Sequence, residues 1–122
     1  MKVARYLLTL LLLGTVLFVV DACSPPADRL FAQGQKYYEM QDYHAAFEKI
    51  LRAAIGGNYQ AQYTVGYMYY YGIGIPRNTV QAVKWFRKAA YFGQPAAIHA
   101  LHLIAQGAPQ PLTLQPATTI RK

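Results

Sequence analysis

Eleven tyrosines outnumber the three histidines, five carboxylates and single cysteine of this 122-residue chain. That inventory favours contact chemistry over turnover. The carboxylates past the N-terminal segment are Asp28, Glu39, Asp42 and Glu48, and Glu39 and Asp42 form no acid/base pair across a pocket. His99 and His102 stand three apart, without a second cysteine, a nearby carboxylate or His-Glu-x-x-His spacing, so no metal site is expected. No serine–histidine–aspartate order and no glycine loop after a strand points to a nucleophile or a phosphate cradle, and no cofactor is implied. What does recur is a tyrosine stripe. Tyr59, Tyr63, Tyr67 and Tyr70 or Tyr71 follow one another at three- or four-residue intervals. On a helix they lie on one side, opposite the Ala61–Val65–Tyr69 face. Tyrosine offers a large ring with a polar tip at low entropic cost, the usual material of binding hot spots.

The elements that carry this stripe repeat. Ala61 and Val65 recur as Ala97 and Leu101, and Ala46, Arg52, Ala53, Ala54 and Gly57 recur as Ala82, Lys88, Ala89, Ala90 and Gly93, all 36 residues apart. A fixed period of this size predicts stacked helical hairpins, none of which buries its apolar face alone. Helices are expected from Asp28 to about Met40, from Tyr43 to Ala54 behind an Asp42 cap, and onward from an Asn58 cap. Gly72-Ile73-Gly74-Ile75-Pro76 stops the third helix, Asn78-Thr79-Val80-Gln81 opens a fourth through Tyr91, and Pro95 opens a fifth to about Gln106. Gly34 and Tyr37 match Gly66 and Tyr69 at an offset of 32, four short of the period, so the first hairpin has the tighter turn.

Residues 61–97 resemble a Sel-one-like repeat, a relative of the tetratricopeptide repeat. The match runs through Ala61, Val65, Gly66, Tyr69, Gly72, Gly74, Ile75, Asn78, Gln81, Ala82, Trp85, Phe86, Lys88, Ala89, Ala90, Gly93 and Ala97. Val65, Asn78 and Gln81 are mild departures, standing for leucine, aspartate and lysine. Residues 28–57 carry a degenerate copy and 97–107 a half repeat. The resemblance implies an all-α solenoid of about two and a half hairpins and a non-enzymatic adaptor for macromolecular complexes. It also implies that the first helix of each hairpin lines a concave groove. Tyr38 maps onto Tyr70 and His99 onto Tyr63. The partner-binding set is therefore Tyr38, Tyr59, Tyr63, Tyr67, Tyr70 and His99. So short a stack could also dimerise weakly through an open end.

The flanks point to export. Lys2 and Arg5 precede an uncharged run from Tyr6 to Val20, short of the roughly 20 residues a membrane span needs and suited to a signal peptide over 1–22. A membrane anchor is the other reading of this run. Val20-Asp21-Ala22-Cys23 resembles a bacterial lipoprotein signal, with Asp21 departing from the pattern, and implies lipid on Cys23. The alternative is simple cleavage after Ala22. Residues 23–27 form a tether, 28–107 the repeat domain and 108–122 a disordered proline-rich tail. Ser24 favours an outer-membrane lipoprotein facing the periplasm, with a soluble periplasmic or inner-membrane-anchored form as the alternative. Without residues 1–22 the formal charge falls from +7 to +6. The expected partner is an envelope protein. The other candidate is an envelope polymer such as peptidoglycan or acidic polysaccharide, and nucleic acid is not expected.

Overall fold

The structure, a computed structural model, describes residues 2–7, 9 and 26–107. Cys23, most of the apolar leader and residues 108–122 lie outside the described residues, and with them the expected lipidation site and tail. Residues 2–7 are helical. No helix among the described residues is long and apolar enough to cross a membrane.

Five further helices follow: α1 Ala27–Glu39, α2 Tyr43–Ile55, α3 Tyr59–Tyr71, α4 Thr79–Tyr91 and α5 Pro95–Ala105. The described residues are all helix and turn, and each helix packs on the next in chain order. This is the helical-hairpin solenoid that the 36-residue period predicts.

Three short polar side chains start the helices. Asp42 accepts from the Ala45 amide at 3.2 Å, Asn58 from Ala61 at 2.6 Å and Asn78 from Gln81 at 3.0 Å. Each satisfies an amide that the first helical turn leaves unpaired. α1 starts without such a cap, behind Pro26, and α5 carries Pro95 in its first turn. Gly72 ends α3 in the left-handed conformation, and Ile73 donates back to the Met68 carbonyl at 2.9 Å. The tight α1–α2 turn instead places Gln41, not a glycine, at φ 63°.

Small residues set the helix spacing. Ala46, Ala53, Ala61, Ala82, Ala89 and Ala97 are fully buried. Gly34 lies against Ile50 of α2, and Gly66 against Phe86 of α4. One apolar cluster joins α1, α2 and α3 around Ile50, Phe47, Val65 and Met68. A second joins α3, α4 and α5 around Phe86, Ala82 and Ala97. Tyr69 packs against both, so α3 is the central helix of the stack.

Centrality explains the burial of α3. Residues 61–66 and Met68 are all buried. Gln62 is wholly inside, its Nε2 donating to the Ala54 carbonyl at 3.2 Å and covering an acceptor in the last turn of α2.

Candidate functional site

The helices alternate in direction, so the stack has two edges. On one, Asn58 Nδ2 donates to Asp28 Oδ1 at 2.7 Å, joining the starts of α3 and α1. On the other, the start of α2 meets the loop after α3: His44 Nδ1 lies 3.4 Å from the Gly74 carbonyl. Tyr38, Tyr43, Tyr67, Tyr70 and Tyr71 gather at this second edge.

Tyr38, in the last turn of α1, meets Tyr43, in the first turn of α2, edge to face with ring centres 5.0 Å apart. Tyr71 stands 4.7 Å from Tyr67 and 5.0 Å from Tyr70, and the Arg77 guanidinium lies 5.6 Å from the Tyr70 ring centre. Tyr38 and Tyr67 are close enough that ionising one would oppose ionising the other. Burial, then Tyr67 and Tyr43, push the Tyr38 hydroxyl above its ordinary value. Burial, then Tyr71, do the same for Tyr67. Both hydroxyls stay protonated in neutral solution, able to donate and to accept. Edge-to-face rings and an arginine over a ring face are favourable contacts that preorganise the patch.

The expected set is brought together only in part. Tyr38, Tyr67 and Tyr70 are half-buried and belong to the patch. Tyr59, exposed, sits at the start of α3, about 16 Å along the helix from Tyr70 at 1.5 Å per residue. His99 is exposed on α5, and His102 Nε2 lies 3.4 Å from Gln106 Nε2. Tyr63 is only 4% exposed, its ring 5.5 Å from Phe86 in the second core cluster. A stripe open to a partner needs a free flank on α3. Instead α2 covers one flank and α4 the other, leaving Tyr63 little surface to offer. Tyr43, Tyr71 and Arg77 stand in the patch although the expected set includes none of them. The tight turn at Gln41, which swings Tyr43 back beside Tyr38, carries no glycine to signal it.

Tyr63 yields a pH test. Its hydroxyl is pushed up to about 12, by burial first and then by Tyr67 and Tyr71. A raised folded-state value means that the neutral phenol stabilises the fold. That contribution is whole below the unfolded value near 10 and is lost as pH rises from there to about 12. Its size is on the order of 2 kcal/mol. Urea unfolding at rising alkaline pH should show the loss, and Tyr63→Phe should flatten it.

A depression of about 370 Å³ lies elsewhere, lined by Gln33, Lys36, Tyr37, Met40 and Lys49. In repeat register Gln33 stands where α3 has Val65, and Lys49 where α4 has Trp85. It lies on the first hairpin, with Gln33 and Lys49 in place of those apolar side chains. Among the described residues no three His, Cys, Asp or Glu side chains are grouped to share a metal ion.

Comparison with known proteins agrees with this geometry. Residues 60–91 match the Sel1 repeat family model. A segment covering 50% of the chain is 44% identical, over 61 residues, to the chitin synthase regulator SKT5 of Saccharomyces cerevisiae. Another, 43% of the chain, is 42% identical over 61 residues to a sel1-like repeat-containing protein of Acanthamoeba polyphaga mimivirus. The matches span only 9% and 10% of those two proteins. No solved structure matches the chain. Sel1 repeats are non-catalytic units that generally mediate protein–protein interaction. The residues that pack α3 against α4 here, Gly66 and Tyr69 with Ala82 and Phe86, are the repeat's own, and the chain carries a Sel1 repeat at residues 60–91.

Proposed function

We propose that the chain is a protein-interaction scaffold of the bacterial cell envelope. It receives a peptide or partner domain on the patch formed by Tyr38, Tyr43, Tyr67, Tyr70 and Tyr71. The observation that carries this reading is a division of labour. The repeat's motif residues are spent on packing. The patch tyrosines lie outside the motif, half-buried or exposed, with their rings already held against one another. Rigid aromatic anchors of this kind supply binding energy without a large ordering cost. The envelope location rests on the sequence alone: a basic start, an apolar run and Cys23, whose lipidation would fix the chain to a membrane.

The test compares the full chain with a Tyr67→Ala/Tyr70→Ala variant as bait in envelope extract. Tyr63 is left intact, because its loss would disturb the core. A protein held by the wild type and released at least about tenfold more readily by the variant supports the scaffold. Equal retention by both baits overturns it. Salt-sensitive retention of acidic polymer alone by both baits would replace it with polymer binding.

A further inference from the structure

The edge opposite the tyrosine patch has a composition of its own. It collects the start of α1, the α2–α3 turn and the α4–α5 turn. Asn58 bonded to Asp28, and Gly56 placed against Ala27, join the first two of these, and the alternating helix direction puts the third at the same end. The two turns are equivalent in the repeat, and both display apolar side chains to solvent. Ile55 is 67% exposed, Tyr91 85% and Phe92 55%, with Tyr59 and Ile98 exposed nearby. Tyr91 and Phe92 stack edge to face, ring centres 5.3 Å apart. Helix packing inside the stack leaves these side chains uncovered.

Charge on this edge is one-sided. Arg29, Arg52, Arg87 and Lys88 are exposed there or within a turn of it, and Lys88 also lies over Trp85 at 5.1 Å. Asp28 is the edge's one carboxylate among the described residues, and Asn58 already engages it. Glu39 and Asp42 lie at the other edge, Glu48 stands midway along α2, and the chain has no Asp or Glu after Glu48. Cationic side chains set behind exposed aromatic and aliphatic tips match the boundary of an anionic bilayer. Headgroup charge attracts the cations there, and tyrosine rings rest at the interface.

Chain continuity leads to the same place. α1 begins at Ala27, so the chain coming from the apolar run Tyr6–Val20 and from Cys23 enters the stack at this edge. Cys23 is three residues from Pro26, at most about 10 Å of extended chain. A membrane held by either feature would lie within reach of the turns. A single lipid chain binds a membrane only marginally and gains stable attachment from a basic patch.

We infer that the turn edge of the stack docks on an anionic lipid bilayer through Ile55, Tyr91 and Phe92 with Arg52, Arg87 and Lys88, which holds the tyrosine patch facing away from the membrane. The docking does not depend on what the patch binds.

Amide hydrogen exchange on the full chain tests this. Phosphatidylcholine vesicles would be compared with vesicles that also contain phosphatidylglycerol. The expected result is protection of residues 55–59 and 91–95 on the anionic vesicles only, with the loop at 72–77 unchanged. Arg52→Glu/Arg87→Glu should raise the lipid concentration needed for half-protection by about tenfold or more. Tyr91→Ser/Phe92→Ser should abolish protection of the second turn, and circular dichroism would confirm that both variants fold. Equal exchange on neutral and anionic vesicles would overturn the inference. So would protection at 72–77, or protection by dextran sulfate with none by vesicles. Partner capture by the tyrosine patch is a separate readout, so the two proposals can fail independently.

Discussion

Phe86→Ala is expected to cost about 3–5 kcal/mol, the largest single-residue effect in the fold. Phe86 is wholly buried where α3, α4 and α5 meet. Its ring lies against Gly66 on α3 and 5.5 Å from the Tyr63 ring. The surrounding positions are mostly alanine, Ala82, Ala89, Ala97 and Ala100, and side chains so short cannot swing in to fill the space. The cavity would therefore stay open. Small domains hold about 5–15 kcal/mol in total, so much of the stability of this stack would be lost. Urea unfolding followed by circular dichroism measures it. A loss under about 1 kcal/mol would mean that the α3–α4–α5 layer is not where the stack is held together.

Gly66→Ala should also destabilise, although alanine is the better helix former by about 1 kcal/mol. A Cβ built on Gly66 would come within 2.7 Å of Phe86 Cδ1 and Cε1 and 3.2 Å of the Ala82 carbonyl. The ring is enclosed on its other sides, so the helices must move apart, at a net cost of about 1–3 kcal/mol. The sign is the informative part. In a Phe86→Ala background the same substitution should become neutral or stabilising, because the two ring atoms at 2.7 Å are gone and only the milder contact with the Ala82 carbonyl remains. The two changes should couple by about 1 kcal/mol or more. Additive losses would place the cost of Gly66→Ala somewhere other than contact with Phe86.

These two residues also mark what the sequence makes legible. Gly66 and Phe86 occupy repeat positions, and the spacing that reveals the repeat also dictates their packing. Asp42, Asn58 and Asn78 are readable as caps because a short polar acceptor before an apolar run has a specific geometric use. The site is harder to read. Helical spacing places Tyr59, Tyr63, Tyr67 and Tyr70 on one side of α3, but spacing is blind to how many neighbours a helix has. A helix packed on two sides buries both flanks, and Tyr63 goes inside with Gln62 and Thr64. Tyr43 joins Tyr38 only because Gln41 takes a left-handed conformation, which glutamine does not advertise. Arg77 reaches Tyr70 through the long loop after α3, whose path follows from Gly72 and Gly74 at positive φ and from the seat of Gly74 against the Tyr43 backbone.

The charge distribution has a different lesson. Net charge alone says little about a chain of this length. Folding turns a lopsided sequence, with every carboxylate at or before Glu48, into a lopsided object. Glu39 and Asp42 lie at the tyrosine edge, and Arg29, Arg52 and Arg87 toward the turn edge, with Arg77 the one exposed arginine at the tyrosine patch. Only the alternating direction of the helices makes that separation visible.

The central claim is that partners are received at the tyrosine edge. Site-specific photocrosslinking in cells tests it most directly, with benzoyl-phenylalanine placed at Tyr70 in one strain and at Lys84, on the exposed side of α4, in another. The expected result is a discrete protein adduct from position 70, weakened by Tyr67→Ala, and none from position 84. An adduct from position 84 with none from position 70 would contradict it and move the interaction surface to the outer face of α4.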